Sequence, residues 1–233
     1  MPLASRGGTA QLEGMSAANP TAASLPLPGQ RGPENHAMRA RIVETAHDLF
    51  RQQGYARTSM ADIAAALGVT PAYLYKFFSS KLAVCEAVCA RTTGQVSEAV
   101  LALARSPRPA EARLRALHLT IVKEAVGIYF AERRLHDMVS QALQHQWDSI
   151  ELHKAQLREA ARIIVADGMA EGAFDRALDP ESAVRAVFLS MLPFAHPNVL
   201  EHMLNADLEA NARSVADLLA RGLRPRDAAK VTD

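Results

Sequence analysis

Cysteine is scarce. Cys85 and Cys89 are the two in the chain, which excludes a disulfide framework and a zinc-finger ligand set. Four apart in a helical stretch, they share a face, but a bond between them would be strained because the two side chains leave the backbone roughly parallel. They read as small core residues of a reducing compartment, with a thiol pair that senses oxidants or soft metals as the sharper alternative. No apolar run approaches the roughly 20 residues of a membrane span. The first residues lack the basic start and apolar core of a secretory signal, so a cytoplasmic protein with no membrane partner is expected. Net charge is only +1, too small for a bulk electrostatic claim on nucleic acid. Runs of β-branched residues are missing too, while Ala and Leu abound, which favours an all-α fold. There is no Gly-rich phosphate loop, nucleophile elbow or metal-ligand helix, and His145 and His153 lie too far apart along one face to share an ion. No catalytic residue, metal or cofactor is therefore assigned, and an all-α enzyme is a poor reading.

What the chain does have is unevenly placed. Residues 38–81 carry Arg39, Arg41, Arg51, Arg57, Lys76 and Lys81 against Glu44, Asp48 and Asp62, a net of +3 that leaves residues 82–233 at −2. Aromatics are 5% of the chain, yet Tyr73, Tyr75, Phe77 and Phe78 fall within six residues. Residues 1–36 are rich in Pro, Gly, Ser and Ala without periodicity and are expected to be a disordered leader. Apolar spacing and breaker residues then predict about nine helices, over roughly 37–53, 59–68, 70–77, 79–105, 109–127, 130–143, 146–170, 179–195 and 206–222. Pro193 and Pro197 are expected to kink or end the eighth. Leu82, Cys85, Val88, Cys89, Val96 and Leu103 mark the apolar side of the fourth.

The stretch "SMADIAAALGVTPAYLYKFFSSK", residues 59–81, carries most of the information. Two short helices joined by Gly68-Val69-Thr70 behind a longer first helix make a helix-turn-helix unit. Ile63, Leu67, Val69 and Leu74 would bury against Leu49 and Phe50, which leaves Ala72, Tyr73, Lys76 and Phe77 on the outer face. Thr70 can cap the third helix, and Pro71 fits its first turn. The positive dipole end there suits a phosphate, and its short side chains suit a major groove.

Residue for residue, about 40–85 resembles the N-terminal domain of TetR-family transcriptional regulators. The resemblance rests on the helix-one Ala and Leu-Phe, Gly54-Tyr55, Thr58-Ser59, Asp62-Ile63-Ala64, Gly68-Val69, Leu74-Tyr75, Phe78 and Ser80-Lys81 in register. It implies phosphate contacts from Thr58, Ser59, Thr70, Tyr75 and Lys81, and base-edge or thymine-methyl contacts from Pro71, Ala72, Tyr73 and Lys76. Taken alone, Tyr75 is equally a half-buried core tyrosine and Lys81 a solvated charge. Ala72, Phe77 and Leu82 depart from the family's usual residues.

Three further expectations follow from that resemblance. The chain divides into a head, 37–80, a helical effector-binding and dimerisation body, 81–225, and a tail, 226–233. Two heads must reach neighbouring major grooves of a double-stranded DNA operator, so a homodimer is expected, with Val184, Phe188, Met191, Leu208, Ala212, Val215 and Leu219 as its seam. Leu208, Ala212, Val215 and Leu219, spaced four, three and four, look coiled-coil-like. An unidentified small-molecule effector would lie among His118, Tyr129, Phe130, Met138 and Trp147 and release the operator, which makes a repressor the first reading. The competing reading is a helix-turn-helix kept as a protein-interaction module.

Overall fold

The computed structural model describes residues 32–226 except 132 and 204–206, and these form ten α-helices without a strand. They are α1 (Gly32–Gln53), α2 (Met60–Leu67), α3 (Pro71–Leu74), α4 (Lys81–Ala104) and α5 (Ala110–Ala131). Then come α6 (Arg133–Gln144), α7 (Asp148–Glu171), α8 (Pro180–Ala195), α9 (Pro197–Met203) and α10 (Leu208–Leu223). None of the described helices is long and apolar enough to cross a membrane.

Three boundaries differ from expectation, each for a local reason. α1 starts at Gly32, so residues 32–36 are helix and not leader; Glu34 in its first turn suits the positive helix end. The rest of the expected leader, and residues 227–233 of the tail, lie outside the described residues. α3 ends at Leu74, three residues early. Beyond it the bonding tightens, with Lys76 N–H donating to the Tyr73 carbonyl (3.2 Å) and Phe77 N–H to that of Leu74 (2.9 Å). The tighter winding drops Phe78 into the core and brings Ser80 round to cap α4. Finally, Pro193 sits inside α8 without ending it, whereas Pro197 opens a separate helix, α9, which apolar spacing alone does not separate from α8.

Two apolar clusters hold the molecule together. The lower one joins Ile42, Phe50, Ile63, Leu74 and Phe78 of the head to Val84, Cys85 and Val88 of α4, and to Leu135 and Met138 of α6. The upper one is built from the far half of α4 with α5, α7, α8, α9 and α10. α4 is common to both and packs most extensively on α7; its 24 residues span about 36 Å at the usual helical rise. One buried cluster thus crosses the boundary expected at residue 80. Leu82 is a correction, being half exposed although the spacing put it on the apolar side.

A buried cation ties three helices together above. Arg113, 4% exposed, donates to the Ala104 carbonyl that ends α4 (2.5 Å), to Asp167 (2.7 Å) and to Glu171 (3.2 Å), both on α7. Its one charge faces a helix C-terminus and two carboxylates at once.

Candidate nucleic-acid interface and body pocket

Each short helix of the head is set by its ends. Ser59 caps α2 in a capping box: Asp62 N–H donates to Ser59 Oγ (3.1 Å), and Ser59 N–H and Oγ–H both donate to Asp62 Oδ2 (2.7 Å). Those bonds hold the Asp62 carboxyl below its usual range. Gly68 closes α2 in the left-handed region, φ +69°, with Val69 N–H returning to the Ala64 carbonyl (3.0 Å), a conformation that disfavours any residue with a Cβ. Thr70 opens α3 and accepts from Tyr73 N–H (3.3 Å).

The expected contact residues divide. Ser59, Thr70, Pro71, Ala72, Tyr75 and Lys76 are exposed, while Tyr73 is partly covered, edge-on to Phe77 with ring centres 5.2 Å apart. Lys76 leans over the Tyr73 ring at 5.5 Å. Lys81 is half-buried; its Nζ donates to the Ala56 carbonyl (3.2 Å) and lies 5.8 Å from the Tyr55 ring. Thr58 is a correction. It is 1% exposed, and its hydroxyl donates to the Gly54 carbonyl (2.9 Å) while accepting from Gln53 Nε2 (3.2 Å). It braces the turn between α1 and α2 and presents nothing outward. Arg39, whose role the sequence pattern does not mark, stacks 4.2 Å over Phe78 and donates to the Phe77 carbonyl, fastening α1 to the end of the α3 segment.

Charge at the helix starts matters most. α2 carries Asp62 in its first turn, whereas the first turns of α3 and α4 hold no acidic residue. α4 instead begins with Lys81, a cation at the positive end of a helix, where its own dipole opposes it. An anion placed there would be favoured by both.

The body pocket is elsewhere than expected. A pocket lies between α4, α5, α6, α7, α8 and α9, walled by apolar side chains with Thr93, His153, Lys154 and His196 as the polar exceptions. His118, Met138 and Trp147, three of the five residues proposed from sequence, do not line it. His118 is buried on α5, bonded through Nε2 to Ser190 Oγ (2.9 Å) and edge-on to Phe194. Met138 and Trp147 belong to the lower cluster, and the side chains of Tyr129 and Phe130 lie outside the described residues. Spacing marked those positions as apolar and middle-helix, which is equally true of core.

Most of the residues expected at the dimer seam are covered by their own chain. Val184, Phe188, Met191, Leu208 and Ala212 are buried in the upper cluster of their own chain, with Val215 and Leu219 packed against it. The large apolar residues that α8 and α10 leave outward are Leu189, 51% exposed, and Leu218, 72% exposed. Cys85 and Cys89 are buried free thiols, and burial pushes Cys85 up to about 11, the Lys81 charge opposing. Thiolate chemistry at neutral pH is thereby suppressed.

A buried and a half-buried histidine carry a pH prediction. Burial pushes His118 and His153 each down to about 4. Both are neutral when folded but bind protons near pH 6.5 when unfolded, so unfolding takes up protons between those values. Their contribution is complete above about pH 6.5 and is lost as pH falls toward 4, on the order of 3 kcal/mol per group. Urea midpoints are expected to be flat from pH 7.5 to 6.5, then to fall, with His153→Gln flattening part of the slope.

Comparison with known proteins follows the same two-part division. Residues 42–88 match the family described as bacterial regulatory proteins, tetR family. Residues 110–216 match the tetracyclin repressor-like C-terminal domain. No curated protein matches in sequence. Among solved structures, a TetR-family transcriptional regulator from Pectobacterium atrosepticum superposes with a TM-score of 0.63 at 19% identity, over 84% of this chain and 99% of that one. SmeT, the repressor of the Stenotrophomonas maltophilia multidrug efflux pump SmeDEF, gives 0.59 at 17% identity, over 89% of this chain and 98% of its own. The regulator FadR of Bacillus subtilis, solved with stearoyl-CoA, gives 0.58 at 18% identity, over 79% and 99%. At these identities the likeness is one of fold.

Proposed function

Because this chain belongs to the TetR family of DNA-binding transcriptional regulators, we propose that it is a repressor that binds a palindromic operator as a homodimer and is released by a small-molecule effector. The observation that carries the DNA reading is electrostatic. α3 and α4 start without an acidic residue, and α4 starts with Lys81, so a phosphate would meet oriented N–H groups and an ammonium together. Ser59, Thr70 and Tyr75 add hydroxyls for the backbone, while Pro71, Ala72, Tyr73 and Lys76 are the residues proposed to read bases. Thr58 holds the turn that presents them.

In this reading, the dimer uses the outward faces of α8 and α10, which pack on each other, around Leu189 and Leu218. Effector release follows from shared walls. Val139 and Leu143 of α6 line the pocket, while Leu135, Met138 and Ala142 of the same helix sit in the head's own cluster. α4 is shared as well, through Thr93 and Val96 in the pocket wall. A ligand that displaces α6 or α4 therefore moves the packing beneath the head, and a coupling of about 1–3 kcal/mol is enough to weaken DNA binding from several-fold to about a hundredfold. The SmeT repressor, alike in fold, is a precedent for the sign of regulation.

Selection of bound duplexes from random DNA tests this. Enrichment of a two-fold-symmetric site is expected. No enrichment at about 50 mM salt, where phosphate contacts are strong, would overturn the reading and leave an interaction module.

A further inference from the structure

The pocket in the body differs from a generic apolar cavity in where its polar atoms lie and what already holds them. His153 makes one hydrogen bond among the described residues, from Nδ1 to Ser97 Oγ (2.7 Å). That bond fixes the ring's orientation and leaves Nε2 as its open position. Thr93, beside it on α4, spends its hydroxyl proton on the Cys89 carbonyl (3.0 Å) and keeps its lone pairs. His196, where α8 gives way to α9, has a buried Nδ1 with no hydrogen-bond partner. Among the described residues the one formally charged side chain in the wall is Lys154, and its ammonium is taken by Glu151 at 2.5 Å, with about a third of its side chain open to solvent. The remainder of the wall is aliphatic.

We propose that this pocket takes an apolar molecule ending in an uncharged oxygen function, a hydroxyl or a carbonyl, held by His153 Nε2 with Thr93 and His196 beside it. The inference deepens the effector reading above and rests on it. The argument is one of cost. A carboxylate brought between Thr93 and His153 would be stripped of water without meeting an unpaired cation, and such burial is expensive. Protonating His153 to supply that cation would have to overcome the burial that holds the ring down near 4. An alcohol or ketone carries a far smaller desolvation cost and offers a partner to the buried, unpartnered Nδ1 of His196 and to Nε2 of His153. The aliphatic part supplies the affinity by burying its surface against the apolar wall.

The test is calorimetric titration of the full chain, free of DNA, with decanol and with decanoate at pH 7.5. Decanol is expected to bind at least tenfold more tightly. His153→Leu should weaken decanol about tenfold and leave decanoate unchanged, while His153→Gln, which keeps a hydrogen-bonding end, should retain most of the decanol affinity. Decanoate binding equally or better, or neither ligand binding, overturns the proposal. The comparison on the unaltered protein decides it even where the leucine variant does not fold. DNA affinity is measured separately: decanol bound without release of the operator leaves this inference standing and removes effector release, whereas a symmetric operator with no decanol binding overturns this inference and leaves the DNA-binding reading standing.

Discussion

Gly168→Ala is expected to cost about 3 kcal/mol of stability, at the upper end of overpacking changes, although alanine is the better helix former. An ideal Cβ on Gly168, within α7, would lie 2.1 Å from Cδ2 and 2.3 Å from Cε2 of Phe174. Helix propensity pulls the other way by about 1 kcal/mol. The clash wins because the ring has no room to retreat. Phe174 is fully buried, and its own N–H donates to the Gly168 carbonyl (2.9 Å) just past the left-handed Gly172 that ends the helix. The next residue, Asp175, donates to the Leu223 carbonyl at the end of α10 (2.7 Å), so a displaced ring would also loosen the helix proposed for the dimer face. Urea denaturation of four proteins checks this: the unaltered chain, each single variant and Gly168→Ala/Phe174→Ala. In the Phe174→Ala background the sign should reverse, with Gly168→Ala stabilising by up to about 1 kcal/mol. A penalty that persists without the ring would assign the cost to something else in α7.

The close approach of Gly168 to Phe174 is invisible in the sequence, where the glycine looks like a helix stop. The general lesson concerns local and distant signals. Ser59, Gly68, Thr70, Pro71 and Ser80 are caps or first-turn residues whose meaning depends on three or four neighbours, and their helices begin and end where the residues say. Register within the head was legible for the same reason. What Val184, Phe188, Leu208 and Ala212 bury against was not. A repeating apolar face shows that a helix is covered, and both a partner copy and the chain's own core satisfy it. In this fold the core takes that face. The same ambiguity misplaced the pocket: Met138 and Trp147 are apolar and central, as any core residue is, whereas Thr93 and His153 stand out only once α4 and α7 are side by side. Thr58 fails differently. A threonine before a helix can cap, contact phosphate or brace a turn, and only the positions of Gly54 and Gln53 decide for the third.

Loss of Lys81 should weaken operator binding about a hundredfold and should also report how many heads are engaged. Hydrogen bonds to charged groups contribute about 1.5 kcal/mol or more each, and a dimer on a two-fold site loses two at once, so the affinities multiply to roughly that factor. Salt dependence gives an independent count. Each neutralised phosphate contributes about 0.9 to the slope of log K against log salt; Lys81→Ala should therefore reduce the slope by about 1.8 if two heads touch DNA and by about 0.9 if one does. The loss should be uniform across DNA sequences, because a phosphate carries no base identity. Lys76→Ala should instead relax preference at particular positions. A second role for Lys81 has to be separated, since its Nζ also holds the Ala56 carbonyl in the loop between α1 and α2. Lys81→Gln keeps a donor for that carbonyl while removing the charge, so it should match Lys81→Ala in salt slope and the unaltered protein in thermal stability. An unchanged slope in both variants would confine Lys81 to bracing the head, and the anion site at the start of α4 would fall with it.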